Sequence, residues 1–332
     1  MKYYIYMDSG TSNTRAYLIR DGEVIDTREK SVGTKDSSIS GSNKVLLEGL
    51  YSLYKEILDH NNLTDELVKS IWMSGMITNT WGIIEISHMA LPIDAKKMYQ
   101  ETGRHFEDRY FHRELNLVRG AKTVKDDSIV DFENIDTVNN VRGEEIEIVG
   151  IAGSTLAPNG PFVVVSPGSH THVCYVKDNK FTDIISNFTG ELTHAISTQT
   201  ILSGELDHGD VKMTDEFVKK GYDYLHKYGI GRALYIVHAT KVFDVCTDAE
   251  RNQILAGIIA GSVADILAKT VLEKWNDVLK IIIIGGKEYV ESYRILIKEA
   301  LPDLPVEILE DIDGRSFALN GFFELLKLEE EQ

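Results

Sequence analysis

Apolar and aromatic side chains crowd Tyr3–Met7, stop at Asp8, and resume at Ala16 after a polar turn, Ser9-Gly10-Thr11-Ser12-Asn13. The runs YYIYM and TRAYLIR have the aromatic and β-branched content of strands, so the pattern predicts a hairpin, and Asp21-Gly22 supplies a two-residue turn into a third strand. An ordinary turn needs only residues that tolerate positive φ, which Gly10 and Asn13 provide. The same residues also carry chemistry. Asp8 is a hard carboxylate suited to Mg²⁺, and Gly10, Thr11, Ser12 and Asn13 offer donors that could wrap a phosphate.

Half a chain later the plan recurs. FVVVSPGSHTHVCYVKDNKFTDIISN, residues 162 to 187, again reads strand, Gly-hydroxyl turn, strand, two-residue polar turn, strand, with Gly168, Ser169 and Thr171 where Gly10, Thr11 and Asn13 stood. Two copies of one turn, each opening a three-stranded meander, predict a duplicated domain: two similar lobes facing across a cleft. Hairpins placed so would clamp a nucleotide's phosphates.

Between and beyond the meanders the periods change. SNKVLLEGLYSLYKEILDH repeats apolar residues at helical spacing after a candidate N-cap, Ser42, and VKSIWMSGMI reads as a strand ending in Ser74-Gly75, with ITNTWGIIEISHMALPI a loop or small strand pair after it. Residues 96 to 127 give a weak pattern, and SIVDFENI reads as a strand. RGEE at 142 to 145 opens a helix-like run; two carboxylates at a helix start complement its dipole, or one acts as a general base beside an anion-binding Arg142. TGELTHAISTQTIL and MTDEFVKKGYDYLHKYG, the latter closed by Gly229, read as helices, as does the stretch from Asp248 to Trp275 with its small residues. VLKIIIIGG is a buried parallel strand ending in Gly285-Gly286, and VEILED and DGRSFALNGFFELL close the pattern as strand and helix.

Composition narrows the partners. The chain has 332 residues, 43% of them hydrophobic, enough for two cored lobes, divided here at 1-140 and 141-332. Asp and Glu outnumber Lys and Arg by 52 to 35, giving a net charge of −17, which argues against a nucleic-acid partner. Cys174 and Cys246 sit in apolar contexts without metal-ligand spacing, no segment reads as a signal peptide or membrane span, and a cytoplasmic protein is expected. His170 and His172 alternate at strand spacing but lack a third ligand, so zinc is set aside. Trp72 and Trp81 read as packing residues.

DSGTSNTRAYL, SVGT, SGMITNTWG, RGEE, PGSHTH, FTGEL and ILAGIIAGSVADI, in that order along the chain, resemble the 2-dehydro-3-deoxygalactonokinase family, within the actin, heat-shock ATPase and sugar kinase superfamily. The resemblance implies an α/β fold of two ribonuclease-H-like lobes around a nucleotide cleft. It also implies ATP-dependent phosphorylation of the terminal hydroxyl of a 2-keto-3-deoxy sugar acid. On that reading Asp8 holds Mg²⁺; Glu144, with Glu145 beside it, is the base. Gly10, Thr11, Asn13, Gly168, Ser169 and Thr171 face the phosphates, and Gly285 and Gly286 border adenosine. Arg142, with Gly75, Met76 and Asn79, receives the substrate, and Glu191 is a secondary candidate near the nucleotide. Three positions depart from the pattern: Ser9 replaces the usual Trp, ITNTWG a longer basic stretch, and His172 a Lys. The partners implied are a sugar acid and ATP, with neither nucleic acid nor membrane; the sequence assigns no oligomeric state. Two alternatives stay open: a kinase for another sugar or sugar acid, and a nucleotide-hydrolysing regulatory or chaperone-like module.

Overall fold

A computed structural model describes residues 2–157, 160–207, 209 and 211–331, leaving aside the side chains of 287–289. Contacts divide the chain into two units: Met1–Ala157 with Asn179–Thr182 and Ile312–Gln332, and Pro158–Asp178 with Asp183–Asp311.

The first unit begins with the expected meander, β1 (Tyr3–Ser9), β2 (Thr14–Arg20) and β3 (Glu23–Lys30), followed by helices α1 (Thr34–Ser40) and α2 (Lys44–His60). Asp21 and Gly22 both take positive φ, 51° and 78°, which matches the right-handed strand twist across a two-residue loop. Next come β4 (Val68–Gly75), the short β5 (Met89–Ala90), α3 (Ala95–Gln100), β6 (Gly103–Glu107), β7 (Arg113–Leu117), β8 (Ala121–Lys122), β9 (Asn140–Val141) and α4 (Glu144–Ala152). The main sheet runs β3-β2-β1-β4-β7-β6, with β5-β8-β9 a separate small sheet. Tyr4, Ile5, Tyr6 and Met7 are all buried because β1 is central, paired antiparallel to β2 and parallel to β4. Leu46, Leu50, Leu53 and Ile57 of α2 pack on that sheet with Ile5, Met7 and Leu18. The N-cap of α2 is Asn43 rather than Ser42, whose hydroxyl accepts from the Lys44 amide instead.

One expected strand is absent. SIVDFENI lies in turns running into a single 3₁₀ turn, Ile135–Thr137, with Ile129 82% and Phe132 98% exposed. Asn134 decides this, donating to the Ile129 carbonyl at 2.8 Å and accepting from the Asp131 amide at 3.0 Å, side-chain bonds that compete with a strand ladder.

The second unit repeats the meander as β10 (Phe162–Pro167), β11 (Thr171–Lys177) and β12 (Lys180–Asn187), followed by α5 (Gly190–Gln199), α6 (Asp215–Val242), α7 (Asp248–Glu273), β13 (Lys280–Ile284), α8 (Lys287–Ala300) and β14 (Val306–Leu309). Its sheet, β12-β11-β10-β13-β14, has the same order as β3-β2-β1-β4-β7: meander reversed, then parallel strands. Gly229, at φ 73° and ψ 164°, is non-helical and closes the first of two helical stretches within α6, the second of which runs on to Val242. The small residues of α7 do permit close packing, since a Cβ on Gly257 would lie 2.0 Å from the Val218 carbonyl oxygen of α6. By length and composition α7 could cross a membrane, yet 67% of its most apolar window is buried within the protein.

The last helix, α9 (Phe317–Glu330), returns to the first unit. It meets α4 so tightly that a Cβ on Gly321 would lie 2.0 Å from the Ile146 carbonyl oxygen. Both helices therefore group with the first unit, and the contacts divide the chain at 157/158 where the sequence reading drew its boundary at 140/141.

Candidate functional site

The first turn is fixed from beneath. The Ser9 and Thr14 hydroxyls lie 2.8 Å apart, both buried, and Thr14 donates to the Val32 carbonyl at 2.8 Å. Amides opening α1 bond the turn's carbonyls, Thr34 to Gly10 at 3.3 Å and Lys35 to Thr11 at 2.9 Å. That approach needs Gly33, whose Cβ would fall 2.4 Å from the Thr11 oxygen. Thr11, Ser12 and Asn13 are left exposed at the tip.

The second turn is built the same way. The Glu191 amide bonds the Ser169 carbonyl at 2.9 Å, and a Cβ on Gly190 would sit 2.1 Å from the Gly168 oxygen. Thr171 is fully buried, its hydroxyl 2.8 Å from that of Thr189 and 2.7 Å from that of Tyr293, so its side chain staples the turn while Gly168 and Ser169 remain exposed. Gly190 thus plays the part of Gly33, and the Glu191 amide that of Lys35. His172 is buried against Ser186 at 3.0 Å, and burial pushes its imidazole down to about 4, keeping it neutral.

Carboxylates gather at the foot of the first turn. Asp8 pairs in register with Ser74, whose hydroxyl bonds it, and burial holds its carboxyl above the usual range against the pull of Arg15. Burial pushes Glu144 up to about 7, with the Asp8 charge adding to the shift. Glu145 is fully buried and pushed to about 8 by burial; one oxygen accepts from the Gly143 amide at 2.7 Å and the other has no partner. Glu147, one turn after Glu144, is raised by burial and by the charges of Glu144, Asp8 and Glu145. Gly75 makes the approach possible: at φ 89° its Cβ would lie 2.3 Å from the Ser9 oxygen, and Gly143, at φ 116°, sits against it. Among the described residues no three His, Cys, Asp or Glu side chains form a ready-made metal cage.

Arg142 reaches from β9 into the loop after β4. Its guanidinium donates to the Thr78 hydroxyl, to the Ile86 carbonyl at 3.1 Å and to the His88 ring at 3.3 Å. Burial, with Arg142, Lys122 and Arg119 around it, lowers His88 to about 4, so the ring accepts. Met76 opens a 3₁₀ turn, and Asn79 caps the next one by accepting from the Trp81 amide at 2.8 Å. Trp72 is buried and donates to Glu329 at 2.7 Å, as a packing residue should, whereas Trp81 is 42% exposed.

Within the second unit a cavity of about 320 Å³ lies beside the second turn. Pro167, Gly168, Thr189 and Gly190 form one side; Leu255, Ala256, Ile259 and Ala260 of α7 form an apolar wall. Gly285 and Gly286 lie outside this lining, though Gly285, at φ 124°, approaches it: its Cβ would sit 3.2 Å from the Pro167 oxygen.

The profile of the 2-keto-3-deoxy-galactonokinase family matches residues 8–321. The chain belongs to that family. It is a sugar kinase, a phosphotransferase. Among galactonokinase relatives, the 2-dehydro-3-deoxygalactonokinase of Escherichia coli K12 is 20% identical over 259 residues, 78% of each chain. A provisionally assigned 2-dehydro-3-deoxygalactonokinase from Sinorhizobium meliloti superposes with TM-score 0.74 at 19% identity, covering 98% of this chain and 97% of that one. The activator of 2-hydroxyisocaproyl-CoA dehydratase from Clostridium difficile, solved with ADPNP, gives 0.50 at 11% identity over 99% and 98%. These likenesses agree with the two ribonuclease-H-like units, each a meander followed by parallel strands.

In this galactonokinase-family chain the structure brings Asp8, Gly10, Gly75, Arg142, Gly143, Glu144 and Glu145 together in one unit. The sequence reading missed Glu147, although its spacing of three from Glu144 puts both on one helix face. It also missed Gly33 and Gly190, for which the shared x-Gly step ahead of each helix was the available signal.

Proposed function

We propose that the protein transfers the γ-phosphoryl group of ATP to the terminal hydroxyl of a 2-keto-3-deoxy sugar acid, 2-dehydro-3-deoxygalactonate giving its 6-phosphate. The observation that carries this reading is the convergence of Asp8 and Glu144 beneath the first turn: two carboxylates close enough for one charge to raise the other. Phosphoryl transfer asks for positioning, charge neutralisation and a base near the working pH, and Glu144 at about 7 is such a base. It is only partly buried, so a substrate hydroxyl can reach it, whereas Glu145 is sealed and turned back on its own helix start. Glu144 would take the hydroxyl proton as the oxygen attacks phosphorus.

The donor set suits Mg²⁺: hard carboxylate oxygens, several of them crowded, with Arg15 the cation acting on Asp8. Asp8 would hold it through water, and the ion would neutralise phosphate charge. Exposed donors of Gly10, Thr11 and Asn13, and of Gly168 and Ser169, would orient the phosphates. The cavity beside the second turn would take the nucleoside, its apolar α7 wall against the base. Arg142 would present its guanidinium to the sugar's carboxylate.

A second reading has its own observation. The Arg142 guanidinium already binds Thr78, Ile86 and His88, so it could brace the loop instead, leaving a kinase for a neutral sugar. A coupled ADP-release assay with ATP, Mg²⁺ and a panel of sugars and sugar acids decides. Turnover of 2-keto-3-deoxy acids alone supports the first reading; preference for neutral sugars supports the second; ATP hydrolysis indifferent to any sugar overturns both.

A further inference from the structure

Three consecutive side chains at the start of α7, Arg251, Asn252 and Gln253, grip the segment that joins the 3₁₀ turn Ile201–Gly204, which follows α5, to α6. Arg251 is 1% exposed; its Nε donates to the Glu205 carbonyl at 2.7 Å and Nη1 to that of Cys246 at 2.5 Å. Asn252 makes a two-way clamp on the backbone of Asp207, donating to its carbonyl at 2.6 Å and accepting from its amide at 3.0 Å. Gln253 holds the far end: its Oε1 accepts from the Thr214 amide at 2.8 Å and from the Thr214 hydroxyl at 2.7 Å. From α6, His238 takes the Glu205 carboxylate at 2.9 Å.

The gripped segment is a wall of the cavity. Leu206, Asp207, Gly209, Val211 and Met213 line it opposite the second turn, and Asn252 joins them. Arg251 and Gln253 are not part of that lining: Arg251 bonds the backbone at one end of the wall, Glu205, as well as Cys246 and Asp248, and Gln253 bonds Thr214 at the other end as well as Ala249. Among the described residues from Glu205 to Thr214 there is neither helix nor strand, and a bond within the stretch runs from the Gly209 amide to Asp207 Oδ1 at 2.8 Å. Two bonds converge on one oxygen of Gln253, a side chain only 6% exposed, and removing that oxygen takes the acceptor from both the amide and the hydroxyl of Thr214 at once.

We propose that Arg251 and Gln253 are positioning residues for the phosphoryl donor: they set the wall of the nucleoside cavity and so tune affinity for the nucleotide without touching it. The inference rests on the reading that this cavity takes the nucleoside of ATP. Because both Gln253 bonds to Thr214 use its oxygen, Gln253→Glu keeps that acceptor and gives up only the long Nε2 donation to the Ala249 carbonyl at 3.5 Å, whereas Gln253→Ala removes both. These variants, which avoid the buried Arg251, are to be compared with wild type by calorimetric titration with ATP and by steady-state kinetics against both substrates. Expected for Gln253→Ala is a rise of about tenfold in the Kd and KM of ATP, with kcat at saturating ATP and KM of the sugar substrate within about twofold, and restoration in Gln253→Glu. A Gln253→Ala protein that melts lower but binds ATP as wild type does makes Gln253 merely structural and overturns the inference, as does an equal rise in both KM values. If wild type binds ATP and neither Leu255→Trp nor Ala256→Trp, which fill the cavity, weakens it, the reading of the cavity itself fails.

Discussion

The Tyr6 phenol lies 2.7 Å from the Ser74 hydroxyl in the buried floor of the first sheet, and Ser74 in turn bonds Asp8. A carboxylate only accepts, so Ser74 gives its one proton to Asp8 and must take its other bond from Tyr6. The phenol ring is itself held between Tyr17 at 5.8 Å and Phe322 at 4.7 Å, both nearly parallel. Tyr6→Phe keeps those stacks and removes only the donor. We expect kcat to fall by about five- to thirtyfold, the worth of one or two kcal/mol, with the melting temperature nearly unchanged. A variant with unaltered kcat would show that Ser74 alone fixes Asp8.

Glu144→Gln should cut kcat by about 10² to 10⁴ while leaving ATP binding near wild type. The wild-type rate should also rise with pH along a limb centred near 7, where Glu144 loses its proton, and that limb should vanish in the variant. Stopped assays from pH 5.5 to 8.5 measure both.

Glu145 makes an opposite prediction about stability. Its folded carboxyl titrates at about 8, against an ordinary value of 4.5, so the folded protein holds a proton that the unfolded chain has released between those limits. Stability from this group is complete below about 4.5 and declines as pH rises through 8. Glu145→Gln should therefore melt above wild type at pH 8, by an amount on the order of a few kcal/mol, with the gap closing at pH 5. Parallel melting curves at the two pH values check it; a gap independent of pH would refute the cause.

Arg142→Ala separates the two substrate readings. A lost bidentate contact to a sugar acid should raise its KM some 30- to 150-fold, on the order of 2 to 3 kcal/mol, with the KM of ATP moving far less. If Arg142 only braces Thr78, Ile86 and His88, the variant loses thermal stability and uses the acid as well as wild type.

How much of this was legible depended on whether a feature is written locally. The two meanders, with Asp21-Gly22 and Asp178-Asn179 as their tight turns, follow from strand periodicity and from residues that accept positive φ at both positions. The small residues of α7 announced close packing, and the Asp8 and RGEE chemistry could be named from residue type. What failed was decided by contacts that composition and period do not display, some local and some distant. SIVDFENI has a strand's composition, yet Asn134 bonds within the segment, and among the described residues no partner strand covers Ile129 or Phe132. The grouping of α4 with the first unit depends on Gly321, more than 170 residues onward, fitting against Ile146. Glu147 escaped notice because its environment, rather than its type, sets it apart.

The return of α9 to the first unit bears on how the chain assembles. Glu329 accepts from the Trp72 indole at 2.7 Å and the Ser70 hydroxyl at 3.0 Å, so β4 completes its polar bonding only when the last helix arrives. On a ribosome the first unit would wait, its sheet made but one face uncovered, while nearly all of the second emerges and folds. The helix that opens at Glu144 lies against α9, so the acidic cluster gains this support only once residues 317–330 have been made.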